Sequence, residues 1–211
     1  MFDTAIDTLK TLSQDHRHLG GDPGMTVILH THTRRLDYHP HWHVIMPGAT
    51  LINQGKAFKR SDSEHLIRGD VVAKLFRGKL HYALYEEGFE VPNNLPKKWV
   101  VNVKHIGKGL PALHYLSRYL YRGVISEKAI IKTDGNQVTF QYKDSQTNTV
   151  KTRTLPGEDF IWKLLMHILP RCFRRVRDYG FLHHNAKRKL TLIQYLLQVK
   201  LLPPMIRKKH R

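Results

Sequence analysis

Cysteine and long apolar runs are nearly absent from this sequence. Cys172 is the single cysteine among 211 residues, which excludes a disulfide framework and any cysteine-rich zinc finger within the chain. No apolar run approaches the roughly 20 residues that cross a bilayer. The segment Met1 to Ala5 is not a basic leader followed by an apolar core. We therefore expect a cytoplasmic protein with no membrane partner.

Acidic residues are also scarce. Seventeen Asp and Glu stand against 35 Lys and Arg, so the formal net charge is +18 and the pI is near 10.1. This excess favours polyanionic partners through counterion release and electrostatic steering, and nucleic acid is the leading candidate. The alternatives are an anionic membrane surface, for which no amphipathic basic helix is evident, and a basic protein that needs no such partner.

Strand-like and helix-like patterns alternate along the chain, which predicts an α+β fold. We expect a mainly antiparallel sheet that carries a His-x-His strand and is flanked by helices. The predicted strands cover 25–33, 41–46, 99–103, 129–132, 138–142 and 150–155. The predicted helices cover 2–12, 63–84, 110–122, 157–169 and 189–202. An entry helix and linker (1–24), a core (25–155) and a basic helical extension (156–211) are the predicted domains.

Histidines cluster on the first two predicted strands. His41 and His43 flank one residue, so on a strand they project from the same face about 7 Å apart, close enough to share a metal ion. If the hairpin is centred near residue 36, His30 lies opposite this pair and supplies a third ligand. The sequence therefore predicts a metal site built by His30, His41 and His43.

Two more histidines extend this cluster. The same register places His32 opposite His39 or Pro40, in a layer beside the three predicted ligands. The sequence assigns neither residue a role. A hairpin that is histidine-rich and merely polar remains the alternative, since the whole chain contains 15 histidines, several of them scattered.

One predicted helix carries three tyrosines. A turn of about 100° per residue places Tyr115 and Tyr119 on one face and points Tyr121 away from them. Arg118 and Arg122 flank the pair, and hydroxyl groups beside guanidinium groups suit attack on phosphates held by arginine. The alternative is a pair of half-buried aromatic side chains at helical spacing.

A His-hydrophobe-His strand followed by a Tyr-x-x-x-Tyr helix resembles the HUH endonucleases, and among them the rolling-circle insertion-sequence transposases of the two-tyrosine class. The resemblance extends from about residue 2 to residue 190, and makes 25–155 the nuclease core. The segments that carry it are His39-Pro40-His41-Trp42-His43, Met46 to Leu51, Leu75 to Lys79, Tyr115 to Tyr119, Val124 to Ser126, His167 to Phe173 and Arg175 to Leu182.

The resemblance implies a transesterification in which a tyrosine attacks a DNA phosphodiester and leaves a 5′-phosphotyrosine link and a free 3′-OH. Tyr115 and Tyr119 would be the nucleophiles. The three histidines would hold a divalent ion, Mg²⁺ or Mn²⁺, on the scissile phosphate; imidazole favours Mn²⁺ and later metals, whereas Mg²⁺ prefers oxygen. The partner would be single-stranded DNA at transposon ends. Its predicted contacts are Arg118, Arg122, Arg171, Arg175 and Arg177.

The sequence departs from the family pattern in two places. Family members usually begin with a cysteine-rich zinc-binding module and an additional strand, and neither precedes Met1. We therefore expect a truncated or split product, with a separate zinc-binding polypeptide as a candidate partner. Ala49 and Thr50 also stand where the family tends to have glycines.

Two other functions remain open. A truncated transposase could be a non-catalytic remnant that only binds single-stranded nucleic acid. A metal-dependent hydrolase is the other alternative, but it would require carboxylates near the metal, where the strand pair offers only Asp37.

Overall fold

The computed structural model describes residues 2–61, 66–92, 94–107, 109–120 and 123–198, apart from the side chains of residues 113, 116 and 118–120. The fold is α+β, with antiparallel sheets flanked by helices, as predicted. The chain forms two compact units. The first comprises Met1–Met25, Met46–His105 and Asp178–Arg211, and the second comprises Thr26–Ile45 and Ile106–Arg177. The domain division drawn at residues 24 and 155 stays a prediction.

Five helices and eight strands lie in the described part of the chain. The helices are α1 (Phe2–Gln14), α2 (Gly69–Glu86), α3 (Leu110–Leu120), α4 (Gly157–Leu165) and α5 (Lys187–Leu196). The strands are β1 (Asp22–His32), β2 (Tyr38–Ile45), β3 (Ala49–Ile52), β4 (Ala57–Arg60), β5 (Ile130–Asp134), β6 (Gln137–Lys143), β7 (Val150–Pro156) and β8 (Val176–Gly180). No helix among these described residues is long and apolar enough to cross a membrane.

In the first unit, α1 and α2 pack around a core that contains Leu12 and Val72. Strand β3 pairs antiparallel with β4 and with the first residues of β1. Strand β8 also pairs with β1. It ends at Gly180, whose φ is +60° and where a Cβ would collide with the backbone of Pro23. Only glycine therefore allows this close approach.

The predicted strand over 99–103 is wrong, because these residues belong to no strand or helix. The ring centroid of Trp99 lies 5.7 Å from that of Phe76 on α2, and Val101 packs against the core around Leu12. An extended segment that packs one side against a helix has the same two-residue periodicity as a strand. Packing rather than sheet pairing therefore explains the pattern.

The helix predicted over 189–202 is observed as α5, which begins at Lys187 and ends at Leu196, while residues 199–202 lie outside the described part. Two further predicted helices have different boundaries. The first, α2, begins only at Gly69, and Ser63 lies outside the described residues. The other, α4, ends at Leu165, four residues earlier than predicted. Beyond it, the backbone N–H groups of His167 and Ile168 each donate to the carbonyl three residues back. These tighter bonds end the α-helix before Pro170 does.

The second unit contains the part of β1 that begins at Thr26, together with the whole of β2, α3 and α4. It also contains a three-stranded sheet in the order β5-β6-β7. The predicted hairpin is confirmed, since β5 and β6 are antiparallel and joined through Gly135, whose φ is +54°. The core of this unit contains Phe140, 0% exposed, and Phe160 of α4. The β1 residues of this unit pair with β2, and the resulting hairpin carries the histidines.

Candidate metal centre

The turn between β1 and β2 is anchored in the core of the second unit. Leu36, at the turn, is 1% exposed and packs with Phe140 and Phe160. Its φ of +66° is unfavourable for a residue that has a Cβ. Burial of the leucine side chain offsets this backbone cost. The hairpin is therefore held in place at its tip.

Asp37 strengthens this anchor through an ion cluster. Its carboxylate accepts hydrogen bonds from Arg153 Nη1 at 2.8 Å and Lys163 Nζ at 3.4 Å, and Arg35 Nε lies 3.6 Å away. Partial burial acts to raise the pKa of Asp37, but the hydrogen bonds and charges of Arg153 and Lys163 outweigh it and hold the pKa below its usual value. Asp37, the one carboxylate between Thr26 and Ile45, is thus engaged by cations.

The observed register of the hairpin differs by one residue from the prediction. His30 is directly opposite His41, whereas a centre at residue 36 would have paired it with Trp42. Directly opposed residues of antiparallel strands share a face. The observed register therefore places His30 on the face of His41 and, two residues further, His43. The predicted register would have placed it on the other face.

The three histidines predicted as ligands come together. Each offers a ring nitrogen, and these nitrogens all lie within 4.8 Å of one another. Two nitrogens about 2.1 Å from one ion are at most about 4.2 Å apart, so small ring rotations bring all three onto one ion. His30 is 6% exposed, whereas His41 and His43 are half-buried. Three imidazole nitrogens are donors that suit a transition-metal ion. The site is closed on the side of the buried His30 and accessible on the side of His41 and His43.

A backbone contact defines the protonation of His41. Its Nδ1 lies 2.7 Å from the carbonyl oxygen of His39. A carbonyl only accepts hydrogen bonds, so Nδ1 carries the proton and donates it, and Nε2 keeps its lone pair. Metal-binding histidines are commonly oriented by such a bond from the second ring nitrogen. His39 thus has a role that the sequence did not assign: its carbonyl orients His41.

A second layer of aromatic side chains adjoins the triad. His32 lies opposite Tyr38, not opposite His39 or Pro40 as predicted, because the pairing is irregular after His30. The ring centroids of His32 and His167 are 5.0 Å apart, and those of His32 and His30 are 6.2 Å apart.

His167 is the residue of this layer that sequence reasoning did not place. It is 7% exposed, and its burial lowers the pKa below 6.5; the charge of Lys163 acts in the same direction, and the backbone of Leu36 opposes it. Burial of His167 therefore favours its neutral form. The sequence indicated His167 only through its position in the family-like segment before Pro170. Its contact with His32 could not be predicted, because more than 100 residues separate the two in the sequence.

The tyrosine helix is present where predicted, up to Leu120. Tyr115 lies on α3 in the second unit and is half-buried. The backbone of Tyr119 lies one helical turn further along α3, while its side chain and that of Arg118 fall outside the described part. Tyr121 and Arg122 also lie outside the described residues. The pairing of the two hydroxyl groups therefore stays a prediction.

The three arginines predicted to bind DNA beyond α4 differ in exposure. Arg171 is exposed, whereas Arg175 and Arg177 are half-buried. Nε of Arg177 donates to the carbonyl of Arg174 at 3.3 Å, and its guanidinium carbon lies 5.3 Å from the ring centroid of Phe173. Of the three, Arg171 is the side chain most accessible to a DNA phosphate.

Comparison with known proteins gives one family and two curated relatives. A family described as "Putative transposase" matches residues 24–189. The chain is 31% identical over 217 aligned residues to the putative transposase y4qJ of Sinorhizobium fredii, which covers 92% of this chain and 54% of the relative. It is 27% identical over 203 residues to the transposase for insertion sequence element IS801 of Pseudomonas savastanoi pv. phaseolicola, covering 86% of this chain and 50% of the relative. The chain thus spans about half the length of these relatives. No solved structure matches.

Proposed function

This chain belongs to the putative transposase family, and on that premise we propose that it cuts and rejoins single-stranded DNA through a 5′-phosphotyrosine intermediate in rolling-circle transposition. One observation carries the proposal: the ring nitrogens of His30, His41 and His43 lie within 4.8 Å of one another, on a hairpin whose tip is fixed in the core. The names of the two relatives support a role in transposition, without specifying its chemistry.

The three histidines would bind the metal with their unprotonated nitrogens. A divalent ion held there supplies positive charge to a phosphate and lowers the cost of the negative charge that develops on it. His41 is already arranged for this task, because His39 accepts its Nδ1 proton and leaves Nε2 available. The all-imidazole donor set favours Mn²⁺ over Mg²⁺.

Tyr115 or Tyr119 would supply the nucleophile. The phenolic oxygen forms a bond to phosphorus as the bond from phosphorus to the 3′-oxygen breaks. The proton that the phenol loses balances the one that the leaving 3′-oxygen gains. The phosphotyrosine link conserves the energy of the broken bond, so a 3′-OH can reverse the step and rejoin the strand. Two nucleophiles one turn apart allow one strand to be held while another is cut.

Single-stranded DNA is the proposed substrate because the chain carries a charge of +18. Arg171 is exposed and suited to bind a flanking phosphate. Asp37 argues against a metal-dependent hydrolase, since its carboxylate is bonded to Arg153 and Lys163. The charge of +18 equally suits the second candidate, a protein that binds single strands without cutting them.

Metal-dependent nicking tests the proposed role of the histidines. We expect Mn²⁺ to support cleavage of a random-sequence pool of single-stranded oligonucleotides, and His41→Ala with His43→Ala to abolish it and to weaken Mn²⁺ binding by roughly 100-fold or more. The matched control is His114→Ala, which removes an exposed imidazole of the same unit and should change neither property. Undiminished nicking by the double variant would exclude the metal role. Binding of the pool without any cleavage by the unmodified chain would favour the remnant.

A further inference from the structure

Helix α4 is apolar on the side that faces away from the core as well as on the side that faces it. Phe160 is buried in the core of the second unit, and Leu164 packs beside it. At about 100° per residue, the residues that follow each of them lie on the outer side. Three large apolar side chains are exposed there, Ile161 (56% exposed), Trp162 (65%) and Leu165 (50%), and two more follow just after the helix ends, Met166 (41%) and Ile168 (69%). We call these five side chains the α4 patch.

Such a surface is unusual for a helix exposed to water. The outer side of a surface helix is normally polar, and contiguous exposed apolar surface marks an interaction site. The patch contains an aromatic residue, Trp162, flanked by aliphatic ones, which is the composition of a protein-protein contact centre. Scattered single apolar residues, such as Val150 at 67% exposure, need no such explanation.

The charges at the two ends of the patch indicate what covers it. Glu158 and Asp159 are exposed in the first turn of α4, and Arg171 and Arg174 are exposed in the segment that follows Ile168, outside the helix. A second copy of the same helix, laid antiparallel, would place its basic end against this acidic end and its acidic end against this basic end. The same arrangement sets the two patches against each other. A two-fold axis near Leu165 satisfies both conditions, because a surface in a symmetric dimer must be complementary to itself.

We propose that the α4 patch is the contact surface of a two-fold symmetric homodimer, with Trp162 as its anchor. The interface pairs Glu158 and Asp159 of each copy with Arg171 and Arg174 of the other. Formation of this dimer does not depend on the DNA chemistry proposed above, although Arg171 cannot bind a DNA phosphate while it is paired across the interface. One helix face per copy is small for an interface, so we expect a dissociation constant of roughly micromolar size.

Sedimentation of the full chain tests the contact surface. We expect a species of twice the 24.7 kDa chain mass to form as the concentration rises through about 10 µM. Trp162→Asp should leave a monomer, because it places a charge at the centre of an apolar contact. Val150→Asp, the control at an equally exposed apolar position in the same unit, should dimerise normally. A chain that stays monomeric at about 200 µM, or a dimer that survives Trp162→Asp, would overturn the proposal.

Charge reversal tests the antiparallel pairing. One variant carries Glu158→Lys with Asp159→Lys, and the other carries Arg171→Glu with Arg174→Glu. Each should dimerise about ten-fold more weakly by itself, since like charges then face each other at both ends. Mixed in equal amounts, the two variants should recover a tight heterodimer, because every facing pair is opposite in charge again. A mixture no tighter than either variant alone would overturn the two-fold arrangement. If the patch binds another protein instead, the purified chain should stay monomeric and the two variants should not associate when mixed.

Discussion

Asp37 joins three cations at the turn of the hairpin that carries the histidines. Arg153 and Lys163 donate to one of its carboxylate oxygens, and Arg35 lies near the other. Because Arg153 also donates to the carbonyl of Arg35 at 2.7 Å, the cluster ties the turn to β7 and α4. Asp37 therefore serves the geometry of the site and not its chemistry.

We predict that Asp37→Asn lowers the free energy of unfolding by about 1 kcal/mol at pH 7, a value reduced for the 40% exposure of the aspartate side chain. The pKa of Asp37 lies below its unfolded value, so its stabilisation is complete above that unfolded value and is lost as the pH falls through the folded one. The difference between the two proteins should thus shrink toward zero in acid. Denaturant titrations between pH 7 and pH 2 measure it.

The control for that experiment is Asp70→Asn, which removes an exposed pair with Arg68. This change should lower the free energy of unfolding much less than Asp37→Asn does, because an exposed ion pair is screened by solvent. A loss at Asp37 that is independent of pH would mean that the ion cluster is not its cause.

The histidines of the site show which positions the sequence could predict and which it could not. The period of a strand was enough to put His41 and His43 on one face, and that part is borne out by the geometry. The predicted register differs from the observed pairing of His30 by one residue, because hairpin register depends on the turn. This turn contains a buried leucine with positive φ. His167 reaches His32 only through the tertiary fold, which no local pattern encodes.

The β1-β2 hairpin depends on the backbone conformation of Leu36. We predict that Leu36→Ala lowers the free energy of unfolding by about 3 kcal/mol, since it empties part of the core. Leu36→Gly should be no less stable than Leu36→Ala, because glycine adopts the φ of +66° without strain. At ordinary helix or strand positions glycine is the less stable of the two by about 0.5–1 kcal/mol. Paired denaturation curves measure this order, and a clearly less stable glycine variant would contradict the anchoring role.

Among the elements, the sequence predicted those with a long and regular pattern. The entry helix, α3 up to Leu120, and the sheet of β5, β6 and β7 were expected and are present. Strands β3, β4 and β8 were not expected. They contain four or five residues each, which is too short for an alternating pattern to stand out, and a glycine lets β8 approach its neighbour closely.

The whole molecule is strongly basic, and many of its acidic groups are neutralised locally. Six of its 17 acidic residues form ion pairs with lysine or arginine within the described part of the chain. They are Asp7, Asp15, Asp37, Asp70, Asp134 and Asp144. The net excess of 18 positive charges attracts polyanions. This charge supports a nucleic-acid substrate but does not distinguish cutting from binding.

Covalent capture of DNA makes that distinction. The chain is incubated with Mn²⁺ and a random-sequence pool of single-stranded oligonucleotides, labelled either at the 3′ end or at the 5′ end, and the products are denatured before electrophoresis. A 5′-phosphotyrosine link retains only the downstream fragment, so the 3′ label should migrate with the protein and the 5′ label should not. Tyr115→Phe with Tyr119→Phe should remove the labelled protein band. A band that persists in this double variant, or a band that carries the 5′ label instead, would contradict the account.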